Sequence, residues 1–320
     1  MKNNNYDSFH GIFTALITPF DTENNNINFS ELAYLINFQI ENNANGILLL
    51  GSTSESQSLS EKEKLDIVDL SLDIIEKKIP VIIGINYNDT SYACYITNKF
   101  LSILKKKNYT NKDACFLVNN PSYNRPTEDG IFLHFSKIHD EVSDFPILIY
   151  NIPSRAIFDL KNDFLKKIFS KLDLVIGIKD CSSDILRVSE LSIWAEKYFN
   201  NSKKLRLFCG DDAYFFNHLI NGGCGCISVL SNIFVSHMRR LYDFFINKNF
   251  ESALSIYKKF IPIIHASLKD SNPSVIKYLM SSEFGTKDYL RPPLLSSKEE
   301  NKILLKNEYE KLKSILNSYK

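Results

Sequence analysis

Several features that would settle a class at once are missing from this sequence. Its 38 lysines and arginines are matched by 37 aspartates and glutamates, leaving a formal charge of +1. No global field therefore directs the chain to nucleic acid or to an anionic membrane. No apolar run is long enough to cross a bilayer. Met1 to His10 are polar and lack the apolar centre of a secretory signal, so a cytoplasmic protein is expected. The six cysteines, Cys94, Cys115, Cys181, Cys209, Cys224 and Cys226, include no CxxC pair. Several sit in apolar runs, which reads as reduced, buried thiols rather than a disulfide framework. Cys224 and Cys226 flank one glycine, but within a strand their side chains point to opposite faces, which argues against a metal pair. The six histidines show no HExxH or other ligand spacing, so no metal is expected and a metal-dependent aldolase is disfavoured.

What is present is a large apolar content. The chain has 320 residues, 44% hydrophobic and 23% charged, enough for one big domain or a domain with an appendage. Eight short β-type runs recur: Ile12–Ile17, Gly46–Leu50, Val81–Ile85, Ala114–Val118, Ile147–Tyr150, Val175–Lys179, Leu205–Cys209 and Cys224–Val229. Most are roughly 30 residues apart, the length of a βα unit. None alternates as a half-solvated strand does. Continuous apolar strands imply burial on both faces and hence a parallel sheet.

Amphipathic helical patterns lie between the runs. Ser60 and Glu63 form a capping box, followed by a stripe of Leu65, Val68, Leu72 and Ile75 and a stop at Pro80. Thr127 caps a helix through His139, and Ser183 or Asp184 opens another through Tyr198. After about Asn247 the strand signal ends. Helices are expected at Phe250–His265, at Pro273–Ser282 capped by Asn272, and at Ser297–Tyr319 with a box of Ser297 and Glu300. The expected architecture is an α/β protein: a (β/α)8 TIM barrel over residues 9–247 and a C-terminal helical appendage over residues 248–320. A doubly wound open sheet is the alternative, but no GxGxxG follows the first strand. The appendage shows no chemistry of its own, and its ordinary role is packing or oligomer contact.

In such barrels the active site lies at the C-terminal strand ends. The sixth run ends in Lys179, and a lysine is seldom fully buried unless it is used or paired. Desolvation and cationic neighbours at a strand end are expected to lower its pKa, and a neutral amine attacks a ketone to give a Schiff base. A lysine snorkelling to water is the commoner explanation of such a residue taken alone. The second run leads into Gly51-Ser52-Thr53-Ser54-Glu55, which either cradles a carboxylate or is an ordinary capped loop. Tyr123 and Arg125 lie in a loop stiffened by Pro121 and Pro126, where Tyr123 is a proton carrier or an interface ring. Tyr150 ends the fifth run and faces the same mouth as Lys179, where a phenol relays protons. Arg155 suits a substrate carboxylate or a helix-cap salt bridge equally. Gly210 ends the seventh run and lets a ligand approach the backbone; Ile227 lies in the eighth.

Taken in order, Gly51–Ser56, Tyr123–Pro126, Tyr150–Arg155, Gly177–Asp180, Gly210–Asp212, Ile227–Val229, Asn272-Pro273 and Leu290–Leu294 resemble the dihydrodipicolinate synthase and N-acetylneuraminate lyase superfamily. The resemblance runs from about Gly11 to Leu294, and an ordered set of this kind does not recur by chance. Tyr-Asn-x-Pro-Ser-Arg and Tyr-Asn-Arg-Pro are similar to the synthase branch. The resemblance implies a Schiff-base aldol condensation of pyruvate with L-aspartate 4-semialdehyde on the way to diaminopimelate and lysine, without cofactor. It implies Lys179 as the imine lysine, Tyr150 at the reacting carbon, and Ser52 linking Tyr150 to Tyr123 in a relay. It further implies Thr53 as the pyruvate-carboxylate binder, Arg155 as the holder of the semialdehyde carboxylate, and Gly210 and Ile227 as backbone positions of the pocket. A homotetramer, a dimer of dimers with Tyr123 reaching into the neighbouring subunit's site, is implied as well. Neighbouring readings are a pyruvate aldolase for a 2-oxo sugar acid, against which Arg155 argues, and a non-catalytic binding relative, which would be expected to lose Lys179 or Tyr150.

Four departures from the family pattern stand out. Ser54 replaces a glycine, at a cost of about 1 kcal/mol if that backbone needs a positive φ. Ser52 replaces a threonine and keeps the hydroxyl. Ser122 replaces a tyrosine that stacks across the family's tight dimer. Near the family's lysine-feedback site, Glu61, Lys64 and Tyr92 differ from inhibited forms while Ser56 and Asn88 are kept, so weak or absent feedback is expected.

Overall fold

The computed structural model describes residues 6–21, 26–201 and 204–317. Eight strands run β1 (Gly11–Ala15), β2 (Gly46–Leu49), β3 (Val81–Ile85), β4 (Ala114–Asn119), β5 (Ile147–Asn151), β6 (Val175–Asp180), β7 (Arg206–Cys209) and β8 (Gly225–Ser228). Each pairs in parallel with the next, and β8 pairs with β1, closing a barrel. The open-sheet alternative is thereby excluded. All eight expected runs become strands, because apolar residues on both faces can be buried only between a filled interior and an outer layer of helices. The interior holds Phe13, Leu48, Ile82, Leu117, Leu148 and Phe208, and the outward faces join the helices in a second, larger cluster.

The helical layer comprises α1 (Phe29–Glu41), α2 (Glu61–Ile75), α3 (Thr90–Lys106), α4 (Glu128–Glu141), the single turn α5 (Pro153–Ala156), α6 (Asn162–Lys171), α7 (Leu186–Tyr198), α8 (Phe215–Ile220) and α9 (Ser231–Ile246). The capping box of Ser60 and Glu63 forms in full, and Thr127 accepts from Gly130 N. At α7 the Asp184 carboxylate takes the amides of Leu186 and Arg187.

Three further helices complete the chain: α10 (Phe250–Ser267), α11 (Ser274–Phe284) and α12 (Glu299–Asn317). Residues 318 and 319 of the last expected helix lie outside the described residues. That helix starts two residues after Ser297, with Lys302 N bonded to Lys298 O. Asn272 does not cap α11: Pro273 holds the cap position without a side-chain bond, and the Asn272 amide turns elsewhere. Phe260, Leu279 and Leu305 are buried in the same cluster as the outer faces of the barrel strands. Full burial of such a side chain is worth roughly 1.5–3 kcal/mol, so the appendage is fixed to the barrel by its own apolar face. Its α10–α11 corner lies over the C-terminal mouth of the barrel, where it lines the cavity described next.

Candidate active site

The site begins with an irregularity in β6. Ile147 pairs with Val175, but Leu148 pairs with Gly177, so Ile176 is an extra residue, a β-bulge. Side chains alternate faces along a strand. Val175 points outward and Ile176 inward. Without the extra residue that alternation would turn Ile178 inward and Lys179 outward. With it, Ile178 packs outside and Lys179 enters the mouth, in register with Tyr150 of β5. Gly177 permits the local approach, since a Cβ there would lie 2.0 Å from Arg206 O of β7. Lys179 Nζ stands 4.3 Å from the centroid of the Tyr150 ring.

Ser52, Thr53 and Ser54 form a 3-10 turn after β2. Ser52 lines the same cavity as Tyr150 and favours the ionised form of its phenol. Thr53 is buried, and its Oγ1 accepts from Asn272 Nδ2 at 3.1 Å. Asn272 O in turn accepts from Arg155 Nη2 at 3.1 Å, so one residue of the appendage links two residues read as carboxylate binders. Gly210 N donates to Asp180 O at 2.8 Å. A Cβ at Gly210 would lie 2.3 Å from Cys181 Sγ and 3.0 Å from Lys179 Cε, so only glycine leaves the lysine stem its place. These groups surround a cavity of about 270 Å³ lined by Ser52, Thr53, Tyr150, Arg155, Lys179 and Gly210, and also by Cys181, Asp212, Leu230 and Asn272.

The electrostatics correct one expectation. Burial pulls the Lys179 pKa down, but Tyr150, Cys181 and Cys226 together pull it up further, and the net direction is upward. The neighbours that act on it are a phenol and thiols, not the cations the sequence reading expected. Burial raises the Tyr150 phenol, with Lys179, Ser52 and Arg155 working against it. Burial likewise pushes the Cys181 thiol up to about 12. Asp212 is raised by burial; its carboxylate takes the amides of Val229 and Leu230, both at 3.0 Å, and so fixes one wall of the cavity.

Ser54, in place of the family's glycine, is not among the positive-φ residues. The left-handed position is the next one, Glu55, at φ 56 and ψ 36. The Ser54 hydroxyl donates to Gly51 O at 2.7 Å, so the serine is accommodated without the expected strain. Tyr123 is 88% exposed and outside the cavity lining. Ile227 is fully buried in the barrel interior, and the adjoining wall is formed by Val229 and Leu230 instead. The sequence reading did not place Cys181, Asp212 or the appendage's Ile264, Leu268, Asp270 and Asn272 at the cavity. Of these, Asp212 and Asn272 carried a signal, in the Gly210–Asp212 and Asn272-Pro273 stretches of the family pattern. Among the described residues no group of three or more His, Cys, Asp or Glu is placed to hold a metal ion, and no helix is long and apolar enough to cross a membrane.

Comparison with known proteins places the fold and the family. The family model of the dihydrodipicolinate synthetase family matches residues 8–312. The 4-hydroxy-tetrahydrodipicolinate synthase of Ehrlichia canis is 35% identical over 306 residues, covering 95% of this chain and 98% of that protein. The protein of the same name from Rickettsia bellii is 33% identical, covering 92% and 94%. The solved structure of the 4-hydroxy-tetrahydrodipicolinate synthase from Methylacidiphilum fumariolicum SolV superposes with a TM-score of 0.87 at 32% identity, covering 97% of each chain.

Proposed function

This chain belongs to the dihydrodipicolinate synthetase family, and from that premise we propose that it is a lyase of the Schiff-base aldolase class, condensing pyruvate with L-aspartate 4-semialdehyde to 4-hydroxy-tetrahydrodipicolinate in lysine biosynthesis. The observation that carries the reading is the in-register pair of Tyr150 and Lys179 facing one cavity, with Ser52 lining the same cavity.

Lys179 must give up its ammonium proton before it can attack a ketone. Its proton leaves through Tyr150 and Ser52, and the free amine adds to the C2 ketone of pyruvate. Loss of one water from the carbinolamine gives the protonated imine. That cation is the electron sink for removal of a C3 proton, which yields the enamine. The enamine C3 attacks the aldehyde carbon, and Tyr150 donates the proton that the new alkoxide takes up. The substrate's own amine then adds to C2, expels Lys179 and closes the ring. Thr53 holds the pyruvate carboxylate and Arg155 that of the semialdehyde.

Tyr123, exposed in the single chain, is offered to a second copy, and a homotetramer built as a dimer of dimers supplies it to the neighbouring relay. Its place of action is the cytoplasm, where the six free thiols remain reduced. The deciding experiment is borohydride reduction in the presence of pyruvate. One covalent pyruvyl group on Lys179, found by peptide mass spectrometry, supports the mechanism; an adduct elsewhere, or none in catalytically active protein, overturns it.

A further inference from the structure

The appendage makes a second contact with this region, at the residue that follows the Ser52–Ser54 turn. Lys277 of α11 places Nζ 2.5 Å from Glu55 Oε1, and neither side chain has exposed surface. The same ammonium donates to Tyr289 O at 2.8 Å. The other Glu55 oxygen accepts from Arg291 N at 2.9 Å. The Phe20 ring lies against both cations, 4.1 Å from Lys277 Nζ and 4.6 Å from the Arg291 guanidinium carbon. Glu31 is the other carboxylate whose charge reaches Lys277. Glu55 directly follows the turn that carries Ser52 and Thr53, and it alone in that turn takes a left-handed backbone. Neither Glu55 nor Lys277 lines the cavity.

An ion pair removed from water adds little to stability over apolar residues of the same volume, because desolvation offsets the attraction. Its geometry, by contrast, is specific. Glu55 is gripped at both oxygens by the appendage while its backbone shapes the end of the Ser52–Ser54 turn. We propose that the Glu55–Lys277 pair positions the Ser52 and Thr53 hydroxyls against Lys179, so that the C-terminal helices set the affinity for pyruvate. Glu55 and Lys277 are thus positioning residues, and this inference rests on the reading of Thr53 as the pyruvate-carboxylate holder.

The test uses the full chain with three variants: Lys277→Met, the neutral double variant Glu55→Gln/Lys277→Met, and Lys277→Arg. Lys277→Met strands a buried carboxylate and is expected to lose thermal stability; the double variant leaves no lone charge and is expected to regain it. The double variant is expected to show a KM for pyruvate raised on the order of tenfold or more, since small misplacements of binding groups are costly. Its kcat at saturating pyruvate and its KM for the semialdehyde should move much less. Lys277→Arg, which keeps the pair, should restore most of the pyruvate KM. The pyruvate dependence of borohydride trapping should follow the same order. A folded double variant with the native pyruvate KM overturns the inference. So does failure of both Lys277→Met and the neutral double variant to fold, which would assign the pair to the scaffold alone. An inactive wild-type protein would overturn the functional reading and this inference together, whereas an active wild type beside an unchanged variant overturns this inference alone.

Discussion

Gly210→Ala isolates one steric demand of the site. The glycine has no left-handed backbone, so its replacement carries no conformational strain. The added methyl would sit 2.3 Å from Cys181 Sγ and 3.0 Å from both Cε and Cγ of Lys179. The backbone has little freedom to retreat, because Gly210 N is bonded to Asp180 O. Overpacking of this kind costs about 1–3 kcal/mol in stability. Activity should suffer more, because the strain is relieved in part by moving the lysine stem, and a displacement of about 1 Å at a reacting group costs on the order of a hundredfold. The expected outcome is a kcat/KM for pyruvate lowered by about two orders of magnitude, with a matching delay in borohydride trapping and a melting temperature only a few degrees lower. Cys181→Ala removes the nearest obstacle. The double variant Gly210→Ala/Cys181→Ala should therefore recover about tenfold of the lost kcat/KM, a coupling that independent sites would not show. Native turnover in Gly210→Ala, or a double variant no faster than the single, would refute the steric argument.

Three other predictions follow from separate parts of the molecule. Arg155→Ala should lower kcat/KM for the semialdehyde by roughly thirtyfold, the equivalent of about 2 kcal/mol for a charged bidentate contact, while trapping of pyruvate stays near native; equal losses for both substrates would contradict the assignment. L-lysine should inhibit weakly or not at all. Glu61 is already taken by the hydroxyls of Tyr92 (3.3 Å) and Tyr95 (3.0 Å), and Lys64 is buried 4.9 Å from the Tyr87 ring centroid, where its charge opposes an incoming ammonium; half-inhibition by submillimolar lysine in an initial-rate titration would overturn this. His134, buried in α4 and bonded to Thr90 Oγ1 at 3.0 Å, has its pKa lowered by burial from 6.5 to about 4. The unfolded chain then binds the extra proton between those values, so stability falls as pH drops from 6.5 towards 4, by up to about 3 kcal/mol. Urea unfolding at fixed protein concentration should show that slope flattened in His134→Gln, and an unchanged difference between pH 7 and pH 4.5 would reject the cause.

What the sequence made legible follows from how local each signal is. A strand buried on both faces announces itself by an unbroken apolar run, so all eight strands could be placed to within about two residues at either end. Capping at Ser60 and Thr127 is decided within four residues and was equally readable. The direction of Lys179 was not. It depends on the extra residue at Ile176, and a bulge is a relation between two strands that one strand's sequence does not contain. The apolar run Val175-Ile176-Gly177-Ile178 carries no alternation from which the face of the lysine could be counted.

The same limit applies more strongly to the appendage. Its helices were visible from their periodicity, but their relation to the site was not, because Asn272 meets Thr53 across 219 residues and Lys277 meets Glu55 across 222. A short polar residue before a helix reads as a cap, since capping is what such residues usually do when only neighbours are considered. Here Pro273 takes the cap position and the asparagine amide is released to bond Thr53. Lys277 reads as one polar residue in a helix until its partner is known, and a fully buried lysine is the observation that changes its meaning. The expected fall in the Lys179 pKa failed for the same reason. Burial was foreseeable from the strand, but the Tyr150, Cys181 and Cys226 groups that outweigh it are brought together only by barrel closure. A lysine at a buried strand end can thus be singled out from its own strand, while the electrostatics and shape of its pocket are set by residues far away in the chain.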